Sequence, residues 1–459
     1  MRHAEDDLTP EHDAALAEFV AAECARSSVP GCAVGIIAGD RSFAAVHGVT
    51  STEDPLAVDL DTLFFIGSTT KTVTATVMMS LVEEGRLTLD DRVRDHLPGL
   101  RLADQAVSET VTIGQLFDHT AGWRGDTDAD TGWGDDALAR GLDEVVSTMP
   151  QLFPPGVAAS YNNAAVVMAG RVIELLTGMP YEAAVRLRVL EPLGMKDSFF
   201  FPWEVATRRF AVGHVVEESG PRPQHVWPLS RAINPAGGLV STVRDQLRYA
   251  RFHLDGAADG TPPVSDAGRR SMQQQRVALP SMLRGIGLSW LLHERRGVTM
   301  VEHGGNCSNL YVSSFGMVPE EHFAVTVLTN SRGGSAIGGS ITEWAMERHL
   351  GRGPVDPPPP LPMPPALLRD YVGRYDAGQW ELAVTNEGDR LFVQMLMPED
   401  IPEEVRAAFA APPNEMVLVG PDVLAPAATP GASTSDFVRG DDGRVEWLRH
   451  GLRLARRVG

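Results

Sequence analysis

The chain has 459 residues, 43% of them hydrophobic and 22% charged, with a net charge of −20, a length and balance that suggest two or three soluble domains with sizeable cores. The acidity argues against nucleic acid as a partner, because phosphate binding needs clustered Lys and Arg, and the longest apolar runs, such as Cys32 to Ala38, fall far short of the ~20 residues of a membrane span. Three scattered cysteines, Cys24, Cys32 and Cys307, suit neither a disulfide framework nor a zinc site, and a start with no apolar stretch behind a basic end predicts no secretory signal; both favour the cytoplasm.

In chain order, Leu16, Phe19, Val20 and Cys24 recur at helical spacing and predict an opening helix from Asp13 to Ala25. Cys32 to Ala38 and Ser42 to His47 flank Gly39-Asp40 and predict a hairpin. Thr70 to Glu84 reads as a helix with Val73, Val77, Met78 and Leu81 on one face and Gly85 as its stop. Further helices are expected at Ala164 to Leu176 and at Val243 to His253, the second capped by Ser241 or Thr242. Val298 to Val301 and Phe323 to Leu328 read as strands, and Ile341 to Leu350 as a helix. Two strands, many helices, then strands and a closing helix imply an α+β domain whose sheet draws on both ends of this region. The Pro-rich run 351–363 reads as a linker. From 364 to 459 short alternating segments (Glu381 to Thr385, Leu391 to Met395, Met416 to Val419, Ser435 to Arg439, Val445 to Arg449, Leu452 to Arg456) predict a small β-barrel or sandwich.

Of the 40 basic residues only Lys71 and Lys196 are lysines; the other 38 are arginines. Arginine cannot be deprotonated in a protein, whereas a buried lysine can lose its proton and act as a base, so a retained lysine marks a place to look for chemistry. In Gly67-Ser68-Thr69-Thr70-Lys71 the spacing of three puts Ser68 and Lys71 on one helix face, with Ser68 at the positive end of the helix. A serine hydroxyl attacks only once a base takes its proton, and a desolvated Lys71 can be that base. Tyr161 and Asn163 lie two apart in an extended segment and can face one cleft, where the Tyr161 oxygen can relay a proton from Lys71. In His303-Gly304-Gly305-Asn306 the paired glycines let a substrate approach the backbone, and a strand edge can offer an N–H to an oxyanion.

Ser68-x-x-Lys71, Tyr161-x-Asn163 and His303-Gly304-Gly305, in that order, resemble the three active-site boxes of the class C β-lactamase and penicillin-binding-protein superfamily of serine hydrolases. Leu116 to Gly122 and Gly237 to Thr242 resemble two further segments of that family. The resemblance implies an antiparallel sheet flanked by helices plus an all-helical region, spanning residues 1–350. It implies Ser68 as the acylated nucleophile, Lys71 and Tyr161 sharing the general-base role, and Asn163 orienting Lys71 and the substrate amide. His303, Gly304 and Gly305 then line the substrate, and the N–H groups of Ser68 and Asn306 form the oxyanion hole. The tail resembles the lipocalin-like barrel appended to esterases, D-aminopeptidases and peptide cyclases of this group.

The third box departs from true β-lactamases, which place a lysine where this chain has His303, largely neutral near pH 7. That favours hydrolysis of a small ester or amide, of D-amino-acid or peptide origin, over β-lactam cleavage. Acyl transfer to an amine or alcohol, including peptide cyclisation, uses the same residues, and a non-catalytic sensor of the same fold is the reading from another class. Cys307 reads as a buried thiol rather than a second nucleophile. Asp118 and His119 invite a Ser-His-Asp triad, but the resemblance places them in a structural turn, with Thr120 to Trp123 expected to line the cleft; Asp126 to Asp136 lacks the terminal Glu of a calcium loop and reads as a solvated loop. No metal or organic cofactor is implied; a small molecule or peptide is the expected partner, and the sequence leaves oligomeric state open.

Overall fold

Asp13 opens the first helix, Ala14–Arg26, by accepting from the backbone N–H groups of Ala15 and Leu16, the N-cap arrangement that satisfies donors a helix start leaves free. This helix belongs to a computed structural model that describes residues 10–127, 129–256, 261–279, 283–378, 380–397, 412–429 and 435–458. The predicted hairpin is present as Gly31–Ala38 and Arg41–Gly48. Phe323–Thr329 then pairs antiparallel with Gly31–Ala38, Val325 opposite Ile36, so the sheet does join the two ends of the domain. From edge to edge the strands run Glu11–His12, Arg41–Gly48, Gly31–Ala38, Phe323–Thr329, Tyr311–Val318, Val298–Glu302, Leu291–Arg295, Leu283–Ile286 and Val277–Ala278, with Gly305–Cys307 also paired to Tyr311–Val318.

The continuous apolar run of Gly31–Ala38 follows from burial on both faces. Cys32, Val34 and Ile36 pack with Leu16 and Val20 of the first helix and with Ile337 and Ile341 of the closing helix, Gly334–Leu350. Ala33 and Ile37, pointing the other way, join the larger core that holds Val243 and Leu247 of helix Val243–Asp255. Thr242, one of the two expected caps, accepts from the Asp245 N–H.

Helix Thr70–Glu83 departs from its predicted single apolar face, because every residue from Thr70 to Leu81 is buried. Its threonines tolerate this by internal bonding: Thr72 and Thr76 donate to the carbonyls of Thr69 and Thr72 at 2.8 and 2.9 Å, and Thr74 lies 2.7 Å from the Tyr181 hydroxyl. A helix buried all round is held on every side, and Ser68 lies two residues before its start.

Residues 351–360 carry neither helix nor strand, and Leu361 forms an isolated bridge to Leu418. The C-terminal domain is a closed barrel of eight antiparallel strands, Gly373–Asp376 meeting Arg453–Val458 to complete it; closure removes the exposed edges an open sheet would carry. Tyr371, Tyr375, Leu382, Leu391, Phe437 and Leu448 fill its interior. Two of the eight strands, Gly373–Asp376 and Val423–Pro426, were absent from the sequence reading; at four residues each they are too short to show alternation. Among the described residues no helix is long and apolar enough to cross a membrane, and no group of three or more His, Cys, Asp and Glu side chains is placed to hold a metal ion.

Candidate active site

Ser68 sits in a single 3-10 turn, Gly67–Thr69, that feeds directly into Thr70–Glu83. Its hydroxyl is partly exposed, while Lys71 is wholly buried. Lys71 Nζ donates to Ser68 Oγ at 2.9 Å and to the Ala236 carbonyl at 2.6 Å. Burial, and then the charge of Arg453, pull its pKa down to about 7, against the opposing charge of Asp126. At neutral pH much of Lys71 is therefore a free amine beside a hydroxyl, the state a general base requires.

The second box precedes helix Asn163–Thr177, which Asn162 caps by accepting from the Ala165 N–H. Tyr161 is buried; its ring centre lies 4.9 Å from Lys71 Nζ and 4.4 Å from the His119 ring, tilted 39° to it. Its phenol bonds Ser68 and lies 3.4 Å from His303 Nε2. Burial holds the phenol well above its usual range, the Ser68 bond and the Arg453 charge offsetting only part of this, so Tyr161 stays protonated at neutral pH. Asn163 has a partner beyond those expected. Its Nδ2 donates to Asp126 Oδ1 at 2.8 Å, so its amide nitrogen is engaged by a carboxylate from the segment expected to be a solvated loop.

At the third box His303 is buried, and Nδ1 lies 2.7 Å from the Gly304 carbonyl. A carbonyl only accepts, so Nδ1 carries the hydrogen and Nε2 faces the Tyr161 phenol as an acceptor. Burial and the charge of Lys71 push His303 down to about 3, so the ring is neutral at physiological pH. Gly305–Cys307 pairs with Tyr311–Val318 on one side; its other side meets the Ser68 turn. A Cβ on Gly305 would lie 1.9 Å from the Ile66 carbonyl, and one on Gly67, whose φ is +53°, would lie 2.8 Å from the Asn306 nitrogen. Only glycines permit two backbones to run this close. Ser313 Oγ donating to the Ile66 carbonyl at 2.7 Å and Thr69 Oγ1 donating to the His303 carbonyl at 3.2 Å tie turn and strand together. Gly304 and Asn306 are exposed.

The three boxes thus meet at Ser68, and a beta-lactamase family model matches residues 13–345. The chain belongs to the beta-lactamase family. Among its relatives, penicillin-binding protein 4 of Amycolatopsis lactamdurans is 38% identical over 310 residues, 66% of this chain and 81% of that protein. Unguisins hydrolase ungD' of Aspergillus campestris (strain IBT 28561) is 25% identical over 424 residues, 81% of this chain and 76% of its own. The solved structure of SurE with D-Leu superposes with a TM-score of 0.73 at 26% identity, covering 97% of this chain and 99% of SurE. This member of the beta-lactamase family accordingly shares its fold with penicillin-binding-protein-like serine hydrolases.

Two neighbours of the site, Ala236 and Arg453, escaped the sequence reading. Ala236 contributes only a backbone oxygen, which no side-chain pattern reveals. Thr120 to Trp123 are buried and support the second box from behind, Trp123 accepting from Asn162 Nδ2 at 2.9 Å. His119 Nδ1 accepts from the Asn162 N–H at 3.2 Å, and Asp118 pairs with Arg276, so these two serve the turn. Burial pushes the Cys307 thiol up to about 12, the inert state expected for it. Arg453 comes from the barrel and pairs with Asp126.

Proposed function

We propose that this chain hydrolyses a small ester or amide through an acyl-enzyme on Ser68. The observation that carries the reading is Lys71 Nζ, fully buried, with a pKa near 7 and 2.9 Å from Ser68 Oγ. In this scheme Lys71 takes the hydroxyl proton as Ser68 Oγ bonds to the substrate carbonyl carbon. The N–H groups of Ser68 and Asn306 receive the oxyanion. The bond to the leaving group then breaks, and the proton held by Lys71 passes to that group by way of the Tyr161 phenol. Water, deprotonated by the same lysine, resolves the ester. Asn163, Gly304, Gly305 and His303 line the substrate, and the neutral His303 offers no fixed cation for a carboxylate, which disfavours β-lactams.

A substrate of D-amino-acid or peptide origin is supported by two relatives, the SurE structure with D-Leu and the hydrolase of unguisins. Intact-mass measurement after exposure to a p-nitrophenyl ester or a fluorophosphonate tests the acyl-enzyme: one adduct per chain is expected, and equal labelling of Ser68→Ala would refute it. Product masses on adding an amine distinguish hydrolysis from acyl transfer.

A further inference from the structure

The second box is not held by the hydrolase domain alone. The Tyr161 N–H donates to the Leu452 carbonyl at 2.8 Å, in the turn that joins the last two barrel strands. The Leu454 N–H donates to Ser160 Oγ at 3.1 Å, and Arg449 Nε to the Ala159 carbonyl at 3.2 Å. Just past that turn, at the start of the last strand, Arg453 reaches Asp126 with two bonds, Nε to Oδ2 at 2.6 Å and Nη2 to Oδ1 at 2.7 Å. Asp126 Oδ1 in turn accepts from Asn163 Nδ2. A carboxylate only accepts, so this contact decides which way the Asn163 amide faces: nitrogen to Asp126, oxygen away from it.

We propose that Arg453 is a positioning residue for the reaction at Ser68: by fixing both oxygens of Asp126 it sets the orientation of the Asn163 amide, so that the barrel completes an active site whose reacting groups all lie in the other domain. The inference rests on the acyl-enzyme reading above. A planar guanidinium fork holds a carboxylate in one orientation, which a single ammonium cannot do. Asp126 and Arg453 are 23% and 30% exposed, so the fork is largely shielded from the water that would loosen it. The two charges also bear on Lys71 in opposite senses, Arg453 lowering its pKa and Asp126 raising it.

The test uses the full chain and p-nitrophenyl acetate, a neutral ester with no carboxylate for Arg453 to bind. Arg453→Met and Asp126→Asn should each lower kcat about 10- to 100-fold with little change in KM, the loss expected when a substrate-orienting group is misplaced. Arg453→Lys should recover only part of it. In an Asn163→Ala background, Arg453→Met should cost nothing further in kcat measured on the plateau above the acid limb. The acid limb of the pH profile should move to higher pH in Arg453→Met and to lower pH in Asp126→Asn, opposite shifts that general loosening of the domain would not produce. Wild-type kcat in Arg453→Met, or losses that multiply in the double variant, overturns the proposal; should Arg453→Met fail to fold, Arg453→Lys carries the same comparison. Turnover that survives in Ser68→Ala removes the acyl-enzyme reading instead, so the two failures are distinct.

Discussion

Lys71 Nζ lies 2.6 Å from the Ala236 carbonyl oxygen, a bond that aims the amine at Ser68 whichever protonation state it holds. With the pKa near 7, Lys71 is an ammonium below that pH and cannot take the hydroxyl proton. For a neutral ester, kcat/KM should therefore fall about tenfold per pH unit below pH ~7 and level off above it. His303, held near 3, stays neutral from pH 5 to 9 and adds no second limb. A profile flat through pH 7, or one falling with a slope of two, would contradict this assignment.

The same burial has a cost in stability. Below pH 7 the folded chain holds a desolvated ammonium; between pH 7 and Lys71's ordinary 10.5 the unfolded chain binds the extra proton, so the wild type gains stability as pH rises through that window. Lys71→Met should be inactive yet melt at a higher temperature, by roughly 2 °C or more. The gain should be largest below pH 7 and shrink toward pH 10. Melting curves at pH 6 and pH 9.5 decide it, and an equal or reversed difference would count against the burial argument.

Gly305→Ala would drive its Cβ into the Ile66 carbonyl and push the third box away from the Ser68 turn. Displacing an oxyanion donor costs about 100- to 1000-fold in kcat. The loss should appear in ester turnover while the far-ultraviolet circular dichroism stays that of the wild type. Near-normal kcat would mean that Asn306 is not an oxyanion donor.

Deep in the helical region Arg231 lies 3.1 Å from both carboxylate oxygens of Glu182, and Asn234 Nδ2 donates to the same carboxylate at 2.7 Å. The short helix Asn234–Gly237 that follows carries Ala236. Glu182→Leu leaves a buried guanidinium without its main counter-charge and should cost about 3–5 kcal/mol by denaturant unfolding. A loss below about 1 kcal/mol would place the pair among ordinary surface bridges.

Each box was legible because its residues are close in sequence: a spacing of three for Ser68 and Lys71, of two for Tyr161 and Asn163, and adjacency for His303 to Asn306. The sheet was legible because Cys32 to Ala38 and Phe323 to Leu328 are short apolar runs, the mark of strands covered on both faces. What stayed hidden depends on distant partners. Asp126 looked like the start of an exposed acidic loop, as residues 132–136 indeed are, and Arg453 was one of 38 arginines. The Asn163 amide nitrogen goes to Asp126, a carboxylate 37 residues earlier that no local spacing reveals. The spacing of Val73, Val77, Met78 and Leu81 predicted one buried face for Thr70–Glu83, whereas its threonine hydroxyls are bonded within the core as well.

Arg453 follows Asp126 by 327 residues, so during synthesis the serine, the lysine and all three boxes leave the ribosome well before the guanidinium that Asp126 awaits. Domains fold as units, the N-terminal one first, and by then Phe323–Thr329 can already have paired with Gly31–Ala38. On the positioning scheme that early intermediate holds Ser68 beside Lys71 with the Asn163 amide still free to flip. The finished barrel then acts as a late safety catch, releasing full turnover only once its last strand has closed.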